Sequence, residues 1–271
     1  MESHDRISQY IIAVASGKGG VGKSTVAVNL AVTLAQAGAA VGLLDADVHG
    51  PNIPRMMGLE GQPQPGPDGT MLPLTNHGVR VMSVGFLALG NKAVIWRGPL
   101  IGKLLKQFLT QVVWGDLDYL IVDLPPGTGD AQLTLCQSVP LTGGLIVSTP
   151  QDVALEDALR GMEMFHKMQV PILGLVENMS YFLCPHCDER TDIFAHGGAQ
   201  QMAEAQQVPF LGALPLDPRI RQGGDGGVPI VIAAPDSLYA TIFRDMAAQL
   251  ITKIQLDATA QATHALVIDQ R

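Results

Sequence analysis

The chain has 271 residues, 47% of them hydrophobic, and a formal net charge of −8. This composition allows a large buried core, and the acidic balance argues against a protein that coats nucleic acid. The sequence contains no run of about 18 apolar residues, which predicts the absence of a membrane span. The polar N-terminus does not resemble a signal peptide, and three cysteines do not make a disulfide framework, so a cytoplasmic location is expected.

The first predicted elements are an apolar strand at 11–15, a glycine-rich loop and a helix from residue 26. The loop matches G-x-x-x-x-G-K-[ST] and adds a second lysine. Its residues, all predicted to bind nucleotide, are Gly17, Lys18, Gly19, Gly20, Val21, Gly22, Lys23, Ser24 and Thr25. In a strand–loop–helix setting, backbone N–H groups and the helix N-terminus point at an anion. We therefore expect Lys23 to reach the terminal phosphates and the Ser24 hydroxyl to ligate Mg²⁺.

Further strands and helices alternate along the rest of the chain. Apolar runs predict strands at 41–44, 119–122, 144–147, 172–176 and 210–213, and helices are predicted near 100–112, 152–168, 197–206 and 236–254. This order predicts an α/β fold of the P-loop NTPase type, with a mostly parallel sheet covered by helices on both faces. One domain is expected over residues 1–256, with a β-hairpin excursion at about 60–84 and a mobile tail at 257–271.

Acidic residues follow two of the predicted strands. Asp45 and Asp47 come directly after the second strand, and Asp123 ends the third. Because ligands bind at the carboxyl edge of a parallel sheet, Asp45 and Asp123 are expected to hold Mg²⁺ with Ser24, and Asp47 to position water. For each aspartate taken alone, a turn or helix cap remains the alternative.

A C-x-x-C motif, Cys184 and Cys187, follows the fifth strand. Two thiolates at this spacing can bind zinc, form one edge of an iron–sulfur cluster or act as a redox pair, and the residues alone leave all three open. If the metal is zinc, His186 or His196 could complete the ligand set. Cys136 lies far away on a predicted helix and is expected to be buried. A two-fold dimer would bring four thiolates together.

Taken together, the motifs resemble the Mrp (ApbC-like) iron–sulfur cluster carriers, which belong to the deviant-Walker-A ATPases with the Min and Par proteins and the nitrogenase iron protein. The resemblance spans about residues 9–254 and rests on the glycine-rich loop and on residues 45–54, 123–130, 177–180 and 184–187. It implies a homodimer that encloses ATP, with Lys18 reaching the partner's phosphates. It also implies that Asn178 contacts adenine near Pro215 and Asp217. The cluster, expected to be [4Fe–4S], would bridge the subunits on Cys184 and Cys187.

The resulting hypothesis is a slow, Mg²⁺-dependent ATPase that carries clusters to apo iron–sulfur proteins, with Lys18, Lys23 and Asp47 as catalytic residues. Neither a membrane nor a nucleic acid is expected as a partner, because the chain is acidic and a basic amphipathic helix is not evident. The alternative is a Min/Par-type positioning ATPase that acts through a membrane, DNA or a protein partner. A small-molecule kinase on the same scaffold is a weaker third reading.

Overall fold

The fold is described from a computed structural model for residues 8–87 and 98–268. Its strands are β1 (Ser8–Ala15), β2 (Val41–Asp45), β3 (Gln64–Pro65), β4 (Met71–Leu72), β5 (Leu74–Asn76), β6 (Val79–Ser83), β7 (Leu117–Asp123), β8 (Gly143–Ser148), β9 (Ile172–Glu177), β10 (Phe182–Leu183), β11 (Arg190–Thr191) and β12 (Phe210–Ala213). Its helices are α1 (Lys23–Gln36), α2 (Ile53–Met56), α3 (Gly98–Gln111), α4 (Asp130–Ser138), α5 (Asp152–Lys167), α6 (Gly198–Ala205), α7 (Pro218–Gly226), α8 (Ile230–Ala233) and α9 (Leu238–Ile268).

Eight of the strands form one central sheet in the order β12-β9-β8-β1-β7-β2-β6-β5. Neighbouring strands run parallel except for β5, which is antiparallel to β6. The strand before the glycine-rich loop, β1, lies in the middle, between β7 and β8. The predicted α/β class with a mostly parallel sheet is therefore confirmed.

Most residues of the central strands are buried. Every residue of β2, β8 and β9 is buried. Because successive side chains of a strand point to opposite faces, continuous burial means that both faces of the sheet are covered. Helices α1, α5, α6 and α9 pack against these strands and supply that cover. The near-continuous apolar runs of the sequence cause this burial, because a strand with alternating apolar and polar residues would leave one face of the sheet exposed to solvent.

The predicted hairpin after residue 70 forms, with its turn at His77 and Gly78. Both residues have positive φ, 50° and 77°, as hairpin turns of this length require. The hairpin does not leave the sheet, however. Strand β6 pairs in parallel with β2 through five residues, and Val79 and Val81 are fully buried. The hairpin is thus one edge of the central sheet, whereas the short β3–β4 pair before it forms a separate ladder.

The last helix is longer than the sequence predicted. Helix α9 continues from Leu238 to Ile268 and therefore includes most of the segment expected to be a tail. Among its side chains up to residue 260, Ile254 is the last buried one, and Leu256 is exposed. The last turns of α9 contain alanine, leucine and glutamine, which favour a helix even where the sequence has no amphipathic pattern. The mobility of this segment stays a prediction. None of the helices in the described part of the chain is long and apolar enough to cross a membrane.

A close contact in the core yields a stability prediction. A Cβ at Gly144, in β8, would overlap the ring of the fully buried Phe165 from α5. Gly144→Ala is therefore expected to lower the free energy of unfolding by about 1–3 kcal/mol through overpacking. Gly226→Ala is the matched control, because a Cβ there meets open space at the end of α7. The control should be neutral or stabilising by up to about 1 kcal/mol in urea denaturation. Equal effects of both changes would contradict the tight β8–α5 packing.

Candidate nucleotide and thiolate sites

The glycine-rich loop connects β1 to α1 as predicted. Gly22 caps α1 in the left-handed region, with φ 85°. A Cβ on Gly22 would also overlap the side-chain amide of Asn178, and a Cβ on Gly17 would overlap the backbone of Asp157 in α5. These two glycines are required because the loop is pressed against β9's end on one side and against α5 on the other.

The loop borders a cavity of about 420 Å³. Seven of the nine predicted loop residues line it: Lys18, Gly19, Gly20, Gly22, Lys23, Ser24 and Thr25. Asp47 and His49 contribute from the segment after β2, Pro126 from the segment after β7, and Met179 from the segment after β9. The cavity therefore sits at the carboxyl edge of the sheet, where parallel α/β folds bind ligands.

A buried cluster of charged side chains forms the floor of this site. The Lys23 ammonium lies 2.8 Å from Asp123 Oδ1 and 3.5 Å from Asp47 Oδ2. The Ser24 hydroxyl donates to Asp123 Oδ2 at 2.6 Å. Burial raises the pKa of Asp123, and the Lys23 ammonium opposes this shift. The structure thus brings Lys23, Ser24, Asp47 and Asp123 together, as the motifs predicted.

Asp45 lies behind this cluster and does not line the cavity. It is fully buried and is the register partner of Asp123 on the neighbouring strand. Burial, reinforced by the Asp123 carboxylate, raises the pKa of Asp45 to about 8. Since Asp123 is paired with Lys23, Asp45 is the one of these two carboxyl groups that keeps a proton at neutral pH. Asp45 therefore lies next to Asp123 on the neighbouring strand and is separated from the cavity.

Ser83 is a site residue that the sequence analysis missed. Its hydroxyl donates to Asp45 Oδ2 at 2.7 Å, and the backbone N–H of Asp47 donates to Asp45 Oδ1 at 3.1 Å. Ser83 ends β6 and faces Asp45 in the register between β6 and β2. Only a sequence reading that placed the hairpin inside the sheet could have found it.

The oxygen atoms at this edge suit a magnesium ion. Mg²⁺ prefers hydroxyl and carboxylate oxygens and usually keeps several waters. The Ser24 hydroxyl and the Asp123 carboxylate present such oxygens beside the phosphate loop, and Asp47 presents a second carboxylate at the cavity wall. The donor set therefore fits Mg²⁺ bound together with nucleotide phosphates.

The three residues expected near adenine have different surroundings. Asn178 is buried, and its side-chain amide donates to the carbonyl of Val21 at 2.8 Å, which ties the end of β9 to the phosphate loop. Asp217 caps α7 and forms an ion pair with Arg219 at 2.9 Å. Burial by itself would raise the pKa of Asp217. The hydrogen bonds that Arg219 and Tyr239 donate outweigh this effect and hold that pKa below its usual value. Neither Pro215 nor Asp217 lines the cavity, and their contact with adenine stays a prediction.

The C-x-x-C motif forms the tip of a small hairpin between β10 and β11. The N–H of Cys184 donates to the Glu189 carbonyl at 3.0 Å, and the N–H of Asp188 donates back to the Cys184 carbonyl at 2.9 Å. Cys187 is exposed and Cys184 is half-buried, whereas Cys136 is buried as predicted. The hairpin therefore presents two thiols at the surface on a hydrogen-bonded turn.

The two exposed thiols are suited to bind metal but do not complete a site. The backbone amide of His186, with help from Cys187, lowers the pKa of the Cys184 thiol, which favours the thiolate that metals bind. By contrast, burial raises the pKa of Cys136 to about 11. Within residues 8–87 and 98–268, no three histidine, cysteine or acidic side chains come together as a metal site. His196 instead contacts Arg190 and Asp192.

Comparison with known proteins finds a matching family and similar proteins. A family profile described as "ParA: NUBPL iron-transfer P-loop NTPase" matches residues 7–251. The chain is 56% identical over 253 residues to the iron–sulfur cluster carrier protein of Synechocystis sp., covering 92% of the chain and 72% of that protein.

Solved structures share the fold. A nucleotide-binding protein from Archaeoglobus fulgidus in complex with ADP superimposes with a TM-score of 0.76 at 40% identity, covering 88% of this chain and 93% of that chain. The cell division ATPase MinD from Pyrococcus furiosus superimposes with a TM-score of 0.67 at 25% identity, covering 90% and 99%. The overall fold is thus shared with a nucleotide-binding protein and with an ATPase of known structure.

The buried Asp45 predicts a specific dependence of stability on pH. With a pKa near 8, folded Asp45 keeps a proton that the unfolded chain releases near pH 3.8. The native state therefore binds more protons between these values, and the free energy of unfolding falls as pH rises from about 5 to 8 and levels off above it. In magnesium-free and nucleotide-free protein, Asp45→Asn should flatten this decline.

Asp116→Asn is the control for this experiment, because Asp116 is exposed. It should keep the slope of the parent protein in denaturant titrations at each pH. An Asp45→Asn protein with an unaltered slope would show that Asp45 does not carry the proton.

Proposed function

Because the chain belongs to the NUBPL iron-transfer family of P-loop NTPases, we propose that it is an ATP-hydrolysing carrier of iron–sulfur clusters. One observation carries the proposal: a chain with a well-formed phosphate site presents only two surface thiols on a rigid hairpin, half of a four-thiolate site. The carrier name of the Synechocystis relative supports it. We place the activity in the cytoplasm, with apo iron–sulfur proteins as recipients.

ATP hydrolysis is assigned to the charged cluster at the sheet edge. The loop amides and the N-terminus of α1 would bind the phosphates, and Lys23 would exchange its contact with Asp123 for the terminal phosphates. Mg²⁺ on Ser24 and Asp123, with Asp45 behind them, would neutralise developing charge. Asp47, at the cavity wall, would orient the attacking water. Asp47 accepts a hydrogen bond from the His49 N–H at 3.1 Å and lies 3.5 Å from the Lys23 ammonium, so it is already positioned at the wall before the phosphates bind. We expect turnover to be slow.

Lys18 is assigned a role across a homodimer. It lines the cavity and is half-buried, and no hydrogen bond or ion pair of its ammonium is found among the described residues. A cation supplied by a partner subunit stabilises charge on transferring phosphate in other NTPases. A face-to-face dimer would bring Lys18 of each subunit to the partner's nucleotide.

The cargo site is assigned to the same dimer. Two hairpins related by a two-fold axis would supply four thiolates, the usual ligand set of a [4Fe–4S] cluster. Zinc held by the same thiolates is the competing interpretation. The likeness to MinD carries no positioning function, because a fold shared at 25% identity does not transfer a partner. The cysteine hairpin is what favours cargo binding over a positioning role.

The action of Lys18 in trans can be tested by mixing variants. Lys18→Ala should bind ATP but hydrolyse it poorly, and Lys23→Ala should lose turnover because a phosphate contact is removed. Mixed after subunit exchange, the two variants should regain activity, since one of the two sites in a mixed dimer has both lysines. ATPase rates of the separate and mixed proteins measure this, and mixed dimers are verified by tagged pull-down.

Two results would contradict the assignment. Full turnover by folded Lys23→Ala protein would show that ATP is not hydrolysed at the proposed site. Verified mixed dimers without recovered activity would argue against a lysine supplied by the partner subunit.

The cargo assignment predicts a defined stoichiometry. After anaerobic reconstitution, about four iron and four sulfide should bind per dimer, because four thiolates ligate one such cluster. Changing both Cys184 and Cys187 to Ser should abolish cluster binding and leave ATP binding intact, whereas Cys136→Ala should retain the cluster. Iron, sulfide and zinc analysis with visible absorption gives the answer. Stoichiometric zinc that no cluster replaces would make the hairpin a structural zinc site.

A further inference from the structure

A buried glutamate closes the loop that carries the two cysteines. Residues 178–198, here called the cysteine loop, leave the sheet after β9 and return at the start of α6. Glu177, the last residue of β9, is only 1% exposed. Its Oε1 accepts a hydrogen bond from Ser180 Oγ at 2.5 Å, and its Oε2 accepts one from the backbone N–H of Ala199 at 2.8 Å. One carboxylate therefore contacts both ends of the loop.

This carboxylate has no role in the assigned nucleotide chemistry. Glu177 does not line the cavity. A buried carboxylate is costly unless hydrogen bonds and charge compensate it, and here a hydroxyl, a backbone amide and the N-terminus of α6 do so. An apolar residue would fill the same space without that cost. What the carboxylate adds is the pair of hydrogen bonds that connects Ser180 to Ala199.

The other contacts at the base of the loop lie mainly on its first arm. The backbone N–H of Asn178 donates to Ser148 O at 2.8 Å, and the backbone N–H of Ser180 donates to Leu214 O at 2.8 Å. The Asn178 side chain adds the bond to Val21 O. The returning arm reaches Glu177 through Ala199. The arm that follows the hairpin is joined to the first arm by the β10–β11 ladder and by the Arg190 guanidinium, 4.2 Å from the centre of the Tyr181 ring. The bond from Ala199 adds a direct connection to the end of β9, and closing a loop of this length has an entropic cost.

We propose that Glu177 is a positioning residue for Cys184 and Cys187: its hydrogen bonds to Ser180 and Ala199 hold the cysteine loop closed, so that the hairpin meets its counterpart in the dimer in one orientation. The inference rests on the proposed cluster-carrying function. Groups that orient the ligands of a metal site commonly change its affinity by about 10- to 100-fold when they are removed.

Two substitutions separate the hydrogen bonds from the charge. Glu177→Ala removes both bonds. Glu177→Gln retains them, because its carbonyl oxygen can accept from Ala199 N–H and its amide can donate to the Ser180 hydroxyl. Trp114→Phe is a control for general destabilisation, since it removes one buried hydrogen bond, from the indole N–H to Phe108 O at 2.9 Å, near the opposite edge of the sheet.

The experiment measures cluster loss from the reconstituted full-length dimer to an iron chelator, followed by visible absorption. Glu177→Ala should lose its cluster about tenfold faster than the unaltered protein. Glu177→Gln and Trp114→Phe should lose it at close to the unaltered rate. ATP affinity, measured by calorimetry, should be unchanged in all of them. Equal rates for Glu177→Ala and the unaltered protein would overturn the proposal, as would equal acceleration by Glu177→Gln or Trp114→Phe.

A second measurement does not require a cluster. Hydrogen exchange of the Cys184 and Asp188 amides, which close the hairpin turn, reports the order of the loop in the apo-protein. Exchange should be faster in Glu177→Ala than in the unaltered protein, and the Gln variant and Trp114→Phe should match the latter. If the unaltered protein takes up no cluster, the proposed function fails, while the exchange result still decides the role of Glu177. Unchanged exchange in Glu177→Ala would overturn that role.

Discussion

The ion pair between Lys23 and Asp123 is the interaction on which the site depends. Both side chains are buried, and a charge in that position is tolerated only with a partner and further hydrogen bonds. The pair joins the start of α1 to the end of β7, and the adjacency of β1 and β7 in the sheet makes this contact available. Ser24 and Asp47 then have fixed positions around it. Removing Lys23 would leave Asp123 without a cationic partner, whereas removing Asp123 would leave Lys23 with only the more distant Asp47 carboxylate, at 3.5 Å.

The sequence predicted the parts of the site that lie in single motifs. The glycine-rich loop and the aspartate that ends β7 are local patterns, and the sheet brings them together because β1 and β7 are neighbours. Ser83 could not be predicted, since its contact with Asp45 depends on the pairing of β6 with β2. The length of α9 was also underestimated, because its last turns have helix-forming residues but no amphipathic pattern.

The chain combines an almost complete site with a half-complete one. The phosphate cavity is built by residues of one chain, whereas the hairpin offers two thiols and no further ligand among the described residues. MinD from Pyrococcus furiosus shares the fold at a TM-score of 0.67. Function on such a scaffold depends on the sites that it carries. In this chain the segment between β9 and α6 carries the two surface cysteines.

A half-site has a consequence for how tightly cargo can be kept. If two chains share the ligands of one cluster, retention follows mass action and weakens as the protein is diluted. If one chain supplied all the ligands, retention of the cluster would not depend on subunit association and so would not weaken as subunits separate on dilution. The concentration of the protein in the cell would then control delivery, because the cluster would dissociate more readily at low protein concentration than at high concentration. ATP, by holding the subunits together, would counteract dilution.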